Sequence, residues 1–205
     1  YSAGFSMSAA TNLSALLFVP FHELYGISFS QLGFLVLVNF CTQLMIDLVF
    51  TFFSKKFNLT KTIRSIPAVV LVGFMIYTLI PMALPEYTYA ALVAGTFVFS
   101  LGAGLGEVLT SPVIAAIPSD NPQKDMSMLH SLYAFGVFTV VVVSTLFLKI
   151  FGSENWMYLA LLFLIIPVLA TLLYMGVEIP QCFEGKSLLP LIQEPEDTPH
   201  EDEAF

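Results

Sequence analysis

Ile66-Pro-Ala-Val-Val-Leu-Val-Gly-Phe-Met-Ile-Tyr-Thr-Leu-Ile-Pro-Met-Ala-Leu84 is a run of nineteen residues without a charged side chain. At 1.5 Å per residue a helix of that length reaches about 28 Å, close to the ~30 Å hydrocarbon core of a bilayer. Working outward, similar apolar runs cover 1–21, 29–53, 88–117, 127–150 and 156–177, giving six expected spans. The breaks between them hold turn formers and charge: His22-Glu23-Leu24-Tyr25-Gly26, residues 54–64, Pro85-Glu86, Pro118-Ser119-Asp120-Asn121-Pro122 and Gly152-Ser153-Glu154-Asn155. The sequence therefore predicts an all-α membrane protein of six transmembrane helices over residues 1–177.

Composition points the same way. The 205 residues have a mean hydropathy of +0.85 and are 57% hydrophobic but only 11% charged. Soluble domains carry ~25% charge, so this chain lacks the polar surface to cover itself in water. Its net charge of −8 is not evenly spread. Residues 178–205 hold eight acids and one base, Lys186, so the acidity belongs to a cytoplasmic tail with the composition of a disordered segment. The body is almost neutral, which excludes a nucleic-acid binder. Cys41 lies in an apolar run and Cys182 in the tail, a pattern that fits neither a disulfide nor a metal site. No nucleophile elbow, His-Glu-x-x-His or phosphate loop occurs, so neither an enzyme nor a cofactor is expected. The chain opens Tyr1-Ser2-Ala3 with no basic leader, and reads as a fragment that starts in or just before a span.

Orientation follows from the bases. Lys55, Lys56, Lys61 and Arg64 lie in the second connection and Lys124 in the fourth, whereas the first, third and fifth hold Glu23, Glu86 and Glu154. Positive residues stay inside, so both ends are expected in the cytoplasm of a multi-pass plasma (inner) membrane protein. Lys149, at the outer end of the fifth span, is the exception and can snorkel to the headgroups. Trp156, Tyr158 and Tyr174 suit interfacial anchoring.

Polarity is uneven among the spans. The first is rich in Ser, Thr and Asn, the fourth in Gly, with Glu107, Thr110 and Ser111, while the third and sixth are nearly all apolar. This three-plus-three recurrence matches the inverted three-helix repeats from which transporters build a central pathway. Glu107 lies ten residues before Ile117, about 15 Å into its helix and so near the bilayer middle. A carboxylate there must face a wet cavity, find a partner or hold a proton, which makes it a candidate coupling or solute-binding acid against a structural alternative. Asn39, Gln43 and Asp47 recur every four residues, a polar stripe that either lines a pathway or forms an interhelical hydrogen-bond ladder. Asn12 and His130 are weaker candidates; an imidazole can take either charge state near neutrality. Gly95, Gly102 and Gly106 form a small-residue face expected to pack against another helix, and Pro112 is expected to bend it.

Gly102-Ala-Gly-Leu-Gly-Glu-Val-Leu-Thr-Ser-Pro112, continued by Ile117-Pro-Ser-Asp-Asn121 and Met126-Ser-Met-Leu-His-Ser131, resembles the fourth and fifth helices of fucose permease-like sugar transporters of the major facilitator superfamily. The resemblance takes in Tyr25-Gly-Ile-Ser28, Asn39-Phe-Cys-Thr-Gln43 and Glu154-Asn-Trp156, and spans nearly all of residues 10–177. It implies a twelve-helix fold of which this is the amino-terminal half, a sugar as substrate, and proton handling by Glu107, five residues before Pro112. The sequence departs from the family where Asn12-Leu13 is followed by Ser14-Ala15 rather than an acid, and where the loop signature between the second and third helices would fall at Thr51–Leu59, with Lys56 alone keeping a comparable charge. The expectation is a half-transporter for a small polar solute, with lipid, protons and a second six-helix half, in cis or as a homodimer, as partners. The other reading is a non-transporting six-helix subunit or relic whose acidic tail binds a basic partner.

Overall fold

The computed structural model describes residues 12–116 and 121–176, and among these every regular element is helical. Residues 12–16 form a helical turn that is interrupted at Leu17 and resumes as α1, Phe18–Tyr25. Then follow α2 (Phe29–Phe53), α3 (Leu59–Ala83), α4 (Thr88–Ala116), α5 (Pro122–Phe151) and α6 (Trp156–Gly176). Four of them, α2 to α5, are long and apolar enough to cross a membrane, the architecture of a helical membrane protein. Residues 1–11 of the first expected span, 117–120 at the fourth connection, 177 at the end of the sixth span, and the acidic tail lie outside the described residues.

Local chemistry sets the boundaries. Pro20 has no N–H for the carbonyl of Leu16, and at Leu17 the N–H is shared between the carbonyls of Leu13 and Ser14, each at 3.2 Å, where the helix breaks. Gly26 ends α1 at φ 63°, a left-handed conformation that glycine takes without strain. Ser28 and Gln31 form a reciprocal cap at the start of α2: Ser28 Oγ accepts from the Gln31 N–H, and Gln31 Oε1 accepts from the Ser28 N–H at 2.9 Å. Helix α3 begins at Leu59, seven residues before the apolar run, because Asn58 Oδ1 accepts the Lys61 N–H at 3.1 Å. Lys61 and Arg64 thus ride on the first turns of a helix rather than in a loop. Asn121-Pro122 works the same way, with Asn121 capping α5 through the Lys124 N–H and Pro122 in the first turn. Helix α4 runs through Pro112 without interruption.

The most intimate packing joins α3 to α4, and glycine makes it so. A Cβ on Gly73 would strike the backbone of Phe99, and one on Gly95 would lie 2.8 Å from the Cα of Tyr77. Gly102 faces Val70 in the same seam. Between helices in lipid there is no water to expel, so this close van der Waals approach is itself the driving force. Gly95 and Gly102 of α4 lie in this seam opposite Gly73 of α3, while Gly104 faces away from it and abuts the backbone of Gln43 on α2; the sequence reading did not select Gly73 or Gly104. Helix α3 also packs on α6, and α2 on α4.

An aromatic cluster closes one end. Trp156 is fully buried, donates its indole N–H to Tyr25 Oη at 3.1 Å, and meets the ring of Phe21 edge-on at 4.8 Å. It is a core residue joining α6 to α1, not the interfacial anchor expected from its place near a span end. Tyr158, two residues on, is exposed.

Candidate functional site

A cavity of about 520 Å³ lies among the helical segment 12–18, α2, α4 and α5. Asn12, Asn39, Gln43, Glu107 and His130 all line it, so five candidates from four stretches of chain meet at one cavity. Thr110, Ser111, Ser14 and Tyr133 add hydroxyls, and Phe18, Phe40 and Phe99 add rings. Gly106, expected on the packing face with Gly95 and Gly102, is buried and borders the cavity.

Asp47 does not line it. Each four-residue step along α2 turns the stripe by ~40° and advances it ~6 Å, so two steps carry Asp47 off the wall that holds Asn39. Its carbonyl accepts the Thr51 hydroxyl at 2.7 Å and its side chain is half-buried.

The hydrogen bonds sort the polar groups into those already engaged and those open to the cavity. Ser100 Oγ donates to Asn39 Oδ1 at 2.5 Å, tying α4 to α2, and Gln43 Nε2 donates to the same oxygen at 3.3 Å. Ser14 Oγ and Tyr77 Oη are 3.0 Å apart and tie the first helical segment to α3. Glu107 and His130 are both exposed and make no hydrogen bond or ion pair with the described residues. An acid within a long apolar helix, with no partner among the described residues, is open to water or a solute in the cavity.

The sequence reading passed over Ser100 and Thr96, although a signal was present. Thr96, Ser100, Ala103, Glu107 and Thr110 recur at spacings of three and four, one continuous face of α4. Thr96 and Ser100 are buried, and Ser100 stands behind Asn39 rather than on the cavity wall. The aromatic lining carried no such signal, because phenylalanine is spread throughout the chain.

Among the described residues, helices surround a polar cavity whose lining includes the Glu107 carboxyl and the His130 imidazole. Compared with protein-family models, curated proteins and solved structures, the chain matches none.

Proposed function

We propose that this chain is the amino-terminal, six-helix half of a secondary active transporter of the major facilitator type, built from two inverted three-helix repeats. It moves a small polar solute, a sugar, by alternating access, with Glu107 taking up a proton as the solute binds. The observation that carries this reading is the joint presence of Asn12, Asn39, Gln43, Glu107 and His130 on one cavity. Its volume, about 520 Å³, falls within the ~300–1,000 Å³ common to small-molecule sites. Amides and hydroxyls interleaved with Phe18, Phe40, Phe99 and Tyr133 suit a sugar, whose ring offers hydroxyls at its edge and C–H groups on its faces. The exposed apolar flanks of α2 and α5, Leu37 and Phe138 among them, are the surfaces a second half or lipid would cover. The bases at the α2–α3 and α4–α5 connections favour a cytoplasmic location for that end, in the plasma (inner) membrane.

The test is counterflow of labelled glucose, galactose and mannose in proteoliposomes holding the complete protein. Wild type should exchange at least one of them above empty liposomes. Glu107→Gln should still exchange it, since counterflow needs no net proton movement, but should lose the accumulation driven by a pH gradient. No exchange of any hexose, or accumulation undiminished in Glu107→Gln, would contradict the proposal.

A further inference from the structure

The carboxamide of Asn39 is held from two sides. Ser100, fully buried on α4, gives its hydroxyl proton to Asn39 Oδ1, and Gln43, one turn along α2, gives an Nε2 proton to the same atom. An amide oxygen offers two lone pairs, so this one is filled. In this arrangement Asn39 is left with Nδ2, a donor, for the cavity, and Gln43 with Oε1, an acceptor. Both residues line the cavity and sit one helical turn apart, neighbours on one face. Ser100 does not line it and touches a solute only through Asn39.

We propose that Ser100 is a positioning residue for solute recognition: it sets the Asn39 amide so that Asn39 donates to one hydroxyl of the solute while Gln43 accepts from a neighbouring one. A solute with a single hydroxyl, or with a methylene in place of either partner, leaves one of the two amides unmatched, so the pair selects for adjacent hydroxyls. Gly104, packed on the backbone of Gln43, keeps α2 and α4 close enough for the Ser100 contact. This inference rests on the reading of the cavity as a solute site.

A double-mutant cycle tests it, using the hexose that wild type exchanges best and the variants Ser100→Ala, Asn39→Ala and the pair. Ser100→Ala keeps a helix-favouring residue and should raise the KM by about tenfold, the loss of one good hydrogen bond, with the maximal rate per inserted molecule unchanged. In the Asn39→Ala background the same change should have no further effect on KM. An unchanged KM in Ser100→Ala, equal losses in both backgrounds, or a fall in maximal rate alone would overturn the inference. If wild type exchanges no hexose, the transporter reading fails first and takes this one with it; exchange with independent effects sinks only the positioning role.

Discussion

Glycine shows how far one residue can decide the packing. Gly73 is pressed against the backbone of Phe99, whereas nothing lies within 4 Å of a Cβ on Gly33 of α2. Gly73→Val should therefore cost about 3 kcal/mol or more, because backbone cannot yield as a side chain can. Gly33→Ala should instead be neutral or raise stability by up to about 1 kcal/mol, since alanine favours a helix and meets no clash. Thermal unfolding of the detergent-solubilised protein checks both, and equal effects would contradict the packing described. At this scale much was legible. The scarcity of charge in the body singled out Glu107, and the four-residue spacing paired Asn39 with Gln43. What escaped were residues whose role depends on a neighbour in space: Ser100 has meaning only once α2 lies beside α4, and Gly73 only once Phe99 is opposite.

Among the elements, α2 matches its expected bounds, 29–53, and α4 begins at its expected start, Thr88, and runs to Ala116, the last residue described there. Helices α3 and α5 start earlier than the apolar runs, at Leu59 and Pro122. Charge marks where lipid ends, but a helix continues until its first N–H groups find a cap, and here Asn58 and Asn121 supply one. Asn58→Ala should remove about 1 kcal/mol from the first turn of α3. Hydrogen exchange should then quicken at residues 59–62 and stay unchanged in the buried centre of the helix; uniform quickening would show that Asn58 supports more than a terminus. The break at Leu17 follows from Pro20 in a similar way. Trp156 marks the limit of positional reasoning: a tryptophan near a span end is at home in the interface, but here Tyr25 offers its indole N–H a partner inside the fold.

For the whole molecule, the account depends on the cavity being a place where solute sits. Helices α3 and α4 form the packed centre, and the cavity opens where polar faces of the 12–18 segment, α2, α4 and α5 converge. Sequence periodicity supplied the faces but not their convergence, because Asn12, Asn39, Glu107 and His130 are brought together by helix order and packing. The most direct measurement is solute protection of a cysteine on the cavity wall. With Cys41 and Cys182 replaced by Ser, a water-soluble maleimide should label Ser111→Cys, which lines the cavity. The hexose exchanged best in counterflow should slow that labelling, while leaving unchanged any labelling of Phe138→Cys on the exposed flank of α5. Labelling of Ser111→Cys at the same rate with and without the sugar would contradict the assignment of the cavity as the solute site.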